Sequence, residues 1–394
     1  MDNLNWKVVN PDGKYRVVVT KELPGKRWLA ILTAADCRIE VSTSTHVLSS
    51  DEIQTALGGR CDGAIGQLTE VWDDTLFQVL KKAGGRAYSN YAVGFNNVDI
   101  AAATRFGIPV GNTPGVLTET TAEMAVALTF AAARRLGEAE RFQRQGKYTG
   151  WLPTLFMGEL LYGKTLGIIG AGRIGAAYAR MMVTGHHMNL VYFDIQPNPE
   201  LESYIQAYAA FLKQQGLAPV SCQRIENLND LLKQAHVVSI HTVLNQSTHH
   251  LINASRLACM QENAILINTS RGPVVDEAAL VAHCQTHPNF KAGLDVLENE
   301  PAMKPGLVDL ENVVIVPHIA SATSWTRQGM ATLAAANVAA ILQNYPVWAN
   351  PDITPFLSDN IPPAAPSILN AKALNLKQLG DDGEILTFER SKSF

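Results

Sequence analysis

The 394-residue chain reads as an α/β protein of two domains with parallel sheets, the first domain discontinuous in sequence. Three observations predict this. Short β-branched apolar runs alternate with helical stretches along both halves of the chain. A glycine-rich turn follows one of those runs and opens a helix. Two long helical stretches, 115–143 and 323–344, flank the central block where the chain would enter and leave it. With 47% hydrophobic and 17% charged residues, the composition is that of a core-rich globular protein.

In the N-terminal block the spaced strand candidates are YRVVVTK (15–21), GAIGQL (63–68), RAYSNYAVG (86–94) and IPVGNT (108–113). Residues 115–143 read as one long helix. Thr118 is its candidate N-cap, Glu119 and Glu123 lie in the early turns and Arg134 and Arg135 come later, as the helix dipole favours. Between 165 and 317 the candidates are TLGIIG, LVYFD, VVSIHT, AILINTS, AGLDVL and VVIVP. Continuous runs of this kind suit strands buried on both faces of a parallel sheet. The segment 197–222 stands where a short crossover would serve. Tyr204, Tyr208 and Phe211 fall there at helical spacing, Gly216 supplies a stop, and the plain reading is a packed decorative helix. After Asn350 come Pro351, Pro355, Pro362, Pro363 and Pro366, so the tail reads as irregular and draped over the surface. The domain boundaries that follow are 1–117 plus 325–394, and 118–324.

Several functional classes are disfavoured. A net charge of −4 without a lysine- or arginine-rich run offers nothing to nucleic acid or an anionic membrane. The longest apolar stretch, 122–133, is too short for a bilayer, which needs ~20 residues. Five cysteines, at 37, 61, 222, 259 and 284, show no CxxC spacing, which implies free thiols in a reducing compartment and no structural metal of the usual kind. MDNLNWKVVN has the layout of neither a secretory signal nor an arginine-rich presequence. The final SKSF comes near the peroxisomal Ser-Lys-Leu without matching it.

GIIGAGRIG (167–175) holds Gly170-x-Gly172-x-x-Gly175 after a strand candidate, with Asp194 at the end of the next strand. This is the dinucleotide-binding pattern of a Rossmann/flavodoxin-like domain. Gly170 permits the turn, Gly172 lets the backbone approach a pyrophosphate, and Gly175 lets helix and strand pack closely. The helix N-terminus then offers free N–H groups to the phosphates. Asp194 can accept from ribose hydroxyls and would repel a 2′-phosphate. The following IQPNP brings no cation to offset it, so NADH is expected over NADPH.

Ligands of open α/β sheets bind beyond the carboxyl ends of the strands. There the sequence places Arg271 after AILINTS, Glu298 and Glu300 after AGLDV, and His318 after VVIVP. Hydride transfer to a ketone builds negative charge on oxygen, which calls for a proton donor and a cation. Histidine can be that donor, a carboxylate can hold its ring, and arginine can clamp a substrate carboxylate. Asp295, inside an apolar run, needs a partner for its charge, and the nicotinamide carboxamide is one candidate.

At these residues the chain resembles the D-isomer-specific 2-hydroxyacid dehydrogenases. The motifs are GIIGAGRIG, NTSRGPVVDEAAL (268–280), AGLDVLENEP (292–301), VPHIASAT (316–323) and NYAVGFNNVD (90–99). The resemblance implies His318 as acid/base, Glu300 as its partner and Arg271 as the substrate-orienting cation. It implies backbone amides at Val93 and Gly94 for the substrate carboxylate, and makes 1–117 plus 325–394 the substrate-binding domain. The NAD-binding and dimerisation region is then 118–324, with contacts from Gly170, Gly172, Arg173, Ile174, Gly175 and Asp194, and from Thr121, Thr242, Ser270 and Asp295 near the nicotinamide.

Within the family the pattern is similar to the plant-type, photorespiratory branch that reduces hydroxypyruvate with NADH. Residues 148–182, the 197–222 segment, 321–335 and PSILNAKAL (366–374) carry that likeness. It implies reduction of hydroxypyruvate to D-glycerate, with glyoxylate reduced more weakly. It also implies a homodimer in which Trp151 either reaches the neighbouring subunit's pocket or only packs in the interface. The compartment would be a peroxisome or a mitochondrion of a photosynthetic eukaryote. Two alternatives remain: another D-2-hydroxyacid dehydrogenase, such as one for 3-phosphoglycerate, and a non-catalytic NAD-sensing scaffold or corepressor. Formate dehydrogenase fits less well, because that relative places glutamine where Glu300 stands.

Overall fold

A computed structural model describes residues 6–380 and 383–386; the first residues of the N-terminal stretch and the SKSF end lie outside them. Two compact units emerge, Met1–Leu117 with Thr323–Phe394 and Thr118–Ala322.

The first unit carries a six-stranded sheet: β1 (Trp6–Val9), β2 (Tyr15–Val19), β3 (Cys37–Ser42), β4 (Gly63–Gly66), β5 (Ala87–Asn90) and β6 (Val110–Gly111), in the order β1-β3-β2-β4-β5-β6. Only the β1–β3 pair is antiparallel. The four predicted strands are present, and β1 and β3 join them. In β3, Arg38 and Glu40 alternate with buried Cys37 and Ile39, so it lacks the continuous apolar run of a doubly covered strand. Glu40 is paired by Arg16 of β2 at 2.6 Å and by Arg38 at 2.9 Å, which satisfies that polar face.

The return helix, Ser324–Leu342, belongs to this unit; Thr323 caps it by accepting from the Thr326 N–H at 3.2 Å. The tail departs from the expectation of a surface drape. Phe356 and Ala365 are fully buried, and Asn370 accepts from the Val110 N–H at 2.9 Å and donates to the Ile108 carbonyl at 3.0 Å. Proline removes ladder donors from a segment but does not stop its neighbours from burying apolar side chains.

The second unit has a seven-stranded parallel sheet: β7 (Thr165–Ile169), β8 (Asn189–Phe193), β9 (Cys222–Arg224), β10 (Val237–Ile240), β11 (Ile265–Asn268), β12 (Lys291–Leu294) and β13 (Val313–Ile315). Its order is β13-β12-β11-β10-β7-β8-β9. Alternate residues of each strand feed two cores. Val237, Ile265 and Ile267 pack under the helices Thr118–Ala133 and Arg173–His186, while Val238, Ile240 and Leu266 pack under Leu228–Gln234 and Glu277–Thr286. Burial on both faces is why these strands read as unbroken apolar runs. Three-residue β9 escaped that reading because it is short and half-buried.

Residues 115–143 are not one helix. The first helix begins at Thr118 itself and ends at Ala133, Arg135 turns left-handed at φ 55°, and a second helix runs over Leu136–Arg144. The 197–222 segment forms the helix Pro199–Gln214, with Gly216 at φ 72° after it. Its packed face is Leu201, Ile205 and Leu212, whereas Tyr204 and Phe211 are exposed. All five cysteines are free, and no helix among the described residues is long and apolar enough to cross a membrane.

Candidate active site

Because β7 to β13 all run parallel, their carboxyl ends share one edge of the second unit's sheet, and each delivers a side chain or a turn there. The turn after β7 is built from glycines. At Gly170, φ is 94° and a Cβ would lie 2.8 Å from the His241 carbonyl carbon, so both conformation and space require glycine. A Cβ on Gly175 would lie 2.1 Å from the Gly170 oxygen, which explains the close helix–strand approach. Beside Gly172, the N-cap of Arg173–His186, there is open space. That combination, an uncovered backbone at a helix N-terminus, fits a pyrophosphate. Arg173 is exposed and Ile174 half-buried in the first turn.

Asp194, just past β8, accepts from the Ala171 N–H at 2.7 Å and from the Gln196 N–H at 3.2 Å. The local sequence offered no cation here, but the fold brings one from β9. Arg224 donates to the backbone oxygen of Asp194 at 3.0 Å, and its guanidinium also faces the Ile195 oxygen. Thr121 is buried on the helix Thr118–Ala133, Thr242 is half-buried past β10, and Ser270 is half-buried past β11.

Arg271 follows β11 in a turn shaped by Asn268, whose amide donates to the Arg271 carbonyl at 2.9 Å and whose oxygen accepts from the Ser270 N–H at 3.0 Å. Burial pushes the Arg271 guanidinium pKa down, while the charge of Glu300 pulls it up. The next residue must be glycine, because a Cβ on Gly272 would sit 1.8 Å from the Leu297 oxygen. Gly272 thus lets the Arg271 turn pass against the loop that carries Glu300.

That loop is latched from the other side. Buried Glu277 accepts from the Glu298 N–H at 2.7 Å and the Lys304 N–H at 2.8 Å, and Glu298 in return accepts from the Glu277 N–H at 3.1 Å. Within the loop, Glu300 Oε1 accepts from the Leu297 N–H at 3.1 Å, leaving Oε2 to meet His318 Nδ1 at 2.8 Å. Burial favours the protonated form of Glu300. The His318 hydrogen bond and charge, the Leu297 amide and Arg271 outweigh it and hold the carboxyl below its ordinary range.

His318 has φ 53°, unusual for a non-glycine residue, and Asp295 is what fixes it there. The Asp295 carbonyl accepts from the His318 N–H at 2.9 Å, and its carboxylate accepts from the Ile319 and Ala320 N–H groups at 2.7 and 3.1 Å. The partners that this buried charge requires are therefore backbone amides. Burial still raises its pKa against their pull. The side chains of His318 and Glu300 remain 26% and 31% exposed, open enough for a small molecule to reach the ring. With Nδ1 on Glu300, Nε2 is free to face it, and the group can deliver a proton at the sheet edge that also carries the half-buried Arg271.

In the first unit, the Ala92, Val93 and Gly94 carbonyls accept from the Thr113 N–H, the Asn112 amide and the Asn90 amide at 2.9, 2.9 and 3.0 Å. A trans peptide points its N–H opposite its C=O. The Val93, Gly94 and Phe95 N–H groups are thereby turned away from those partners, a loop suited to a carboxylate. Trp151, in the second unit, is 79% exposed. Sequence reasoning had missed Gly272, the Glu277–Glu298 latch, Arg224 and the Phe95 amide. Only Glu277, an acid directly after the cap Asp276, left a trace, and that reads equally as a helix-dipole charge.

Residues 126–320 match the family model of the D-isomer specific 2-hydroxyacid dehydrogenase, NAD binding domain. The chain is 57% identical to a glycerate dehydrogenase of Cucumis sativus, across 93% of this chain and 97% of that protein. It is 43% identical to a glyoxylate reductase of Korarchaeum cryptofilum, across 83% and 92%. Among solved structures, the TT0316 protein of Thermus thermophilus superposes with a TM-score of 0.73 at 38% identity, across 83% of this chain and 97% of that one.

Proposed function

Since the chain belongs to the D-isomer-specific 2-hydroxyacid dehydrogenase family, we propose that it reduces hydroxypyruvate to D-glycerate with NADH, and glyoxylate to glycolate more weakly. The observation that carries the chemistry is the 2.8 Å His318–Glu300 pair at the same sheet edge as Arg271 and the Gly170–Gly175 turn. When bound, the nicotinamide supplies the hydride to the carbonyl carbon. His318 donates the proton from Nε2 to the carbonyl oxygen, and Glu300 holds the ring's tautomer and orientation. Arg271 stabilises the charge that builds on that oxygen and orients the substrate's carboxylate. The Val93 and Gly94 amides are assigned to the carboxylate. Gly170, Gly172 and Gly175, with the first turn at Arg173 and Ile174, are assigned to the pyrophosphate. Asp194 is assigned to the ribose, and Thr121, Thr242, Ser270 and Asp295 to the nicotinamide side.

Asp194 supports NADH over NADPH. Its carboxylate would face a 2′-phosphate, and Arg224 is engaged with backbone oxygens rather than turned to neutralise one. Steady-state rates on a panel of 2-oxo acids, each with NADH and NADPH, test both parts. Preference for pyruvate or 3-phosphohydroxypyruvate would overturn the substrate, and equal use of NADPH would overturn the role of Asp194.

We also assign a homodimer. Trp151, Leu152, Met157, Leu160 and Tyr162 form an exposed apolar run in the second unit, between 57% and 79% exposed, more than a lone soluble subunit usually shows water. A second copy covering this run accounts for it, with Trp151 either reaching the partner's pocket or packing in the interface. Light scattering is expected to give twice the chain mass, and Leu160→Asp to give the monomer. A wild-type monomer at micromolar concentration would overturn the assignment.

A further inference from the structure

The segment 197–222 interrupts the link between β8 and β9, and its first polar side chain sits on the dinucleotide turn. Besides the helical bond from the Glu202 N–H to its carbonyl, Asn198 makes three bonds at once. Its Oδ1 accepts from the Leu201 N–H at 2.9 Å, which caps the helix Pro199–Gln214. Its own N–H donates to the Tyr192 hydroxyl at 3.0 Å, and that hydroxyl donates on to Glu202 in the first turn of the helix. Its Nδ2 donates to the Ala171 carbonyl at 2.7 Å. Tyr192 is fully buried in β8, two residues before Asp194, so the anchor is rigid.

The last of these bonds bears on the cofactor. Ala171 is held on both sides, its N–H by Asp194 at 2.7 Å and its C=O by Asn198. The Ala171 carbonyl and the Gly172 N–H belong to one planar trans peptide and point opposite ways. Holding the oxygen toward Asn198 therefore turns the Gly172 N–H to the other side, as the cap residue of the helix that would face the phosphates. Ala171, Gly172, Asp194, Asn198 and Glu200 all line one open cavity of about 480 Å³. The segment thus supplies a wall of that cavity and a strut for the turn.

We propose that Asn198 is a positioning residue for dinucleotide binding: its amide holds the Ala171–Gly172 peptide in the orientation that binds the pyrophosphate, and the 197–222 segment serves cofactor affinity through it. The proposal rests on the reading of Gly170–Gly175 as the pyrophosphate cradle. It assigns a role to a segment whose plain reading was decorative.

Two substitutions separate the strut from the cap. Serine and aspartate are both good N-caps, so Asn198→Ser and Asn198→Asp retain the bond to Leu201 and the melting temperature. Serine cannot reach Ala171, and aspartate sets a carboxylate oxygen against its carbonyl. The measurements are Kd for NADH by fluorescence, Kd for ADP-ribose by calorimetry, Tm, and kcat at saturating NADH. Asn198→Ser is expected to weaken NADH and ADP-ribose equally, by about tenfold, the worth of one hydrogen bond. Asn198→Asp is expected to weaken both further, with kcat and Tm unchanged in each. Wild-type affinity in either variant, or a loss of affinity that tracks a loss of Tm, would overturn the strut. If the wild-type protein binds NADH but not ADP-ribose, the cradle reading falls with it; if wild type binds both and the variants match it, only the strut falls.

Discussion

His318→Asn is expected to lower kcat for hydroxypyruvate reduction by about 10²–10⁴-fold, the usual worth of a positioned general acid. Asparagine is the replacement of choice because His318 sits at φ 53°, where asparagine is tolerated and most residues are strained. The backbone bond to the Asp295 carbonyl survives the change, and so does the clamp of Asp295 on Ile319 and Ala320. The loss then reports the imidazole and not a collapsed turn. Affinity for NADH, measured by fluorescence, is expected to stay at the wild-type level. Glu300 acts through the ring it holds, so Glu300→Gln added to His318→Asn is expected to cost almost nothing more. A variant within tenfold of the wild-type kcat would remove His318 from the proton-transfer step.

The parts of this fold that were legible in the sequence are those where one local signal carries the structure. Six of the seven strands of the second sheet announced themselves because burial on both faces demands unbroken apolar runs, as in Val237–Ile240. The glycine turn announced itself because a phosphate cradle needs three glycines at set spacing. What stayed hidden depends on partners distant in the chain. β3 satisfies its polar face with Arg16, and the tail is held by Asn370 against Val110, 260 residues away. The break at Arg135 is one left-handed residue inside a sequence of good helix formers.

The same division holds within the candidate site. Arg271, Glu300 and His318 stand at predicted strand ends, so topology alone suggested that they meet. The groups that position them do not. Gly272 matters only because the Leu297 carbonyl lies where its Cβ would be, and Glu277 matters only because it meets the loop at Glu298 and Lys304. Neither contact has a period or a spacing that a one-dimensional reading can register. Asn198 is the sharpest case: its amide oxygen caps its own helix, while its amide nitrogen holds the turn of a different element.

Arg271→Ala is expected to lower kcat/KM by about 10²–10³-fold, the scale for losing one preorganised donor to developing charge. Arg271→Lys separates charge from geometry. It restores a cation but not the planar fork that meets a carboxylate with two parallel bonds, so it is expected to recover only part of the loss. Its pH dependence is the more telling result. Burial at this position lowers the pKa of the guanidinium, and an arginine starts so far above neutrality that it stays charged regardless. A lysine starts about two to three units lower, and the same burial works against its ammonium. The activity of Arg271→Lys relative to wild type is therefore expected to fall as pH rises from about 7 to about 10, since deprotonation removes the cation that the oxygen needs. A ratio flat across that range would mean that position 271 contributes shape and not charge, and the developing negative charge would have to be met by His318 alone.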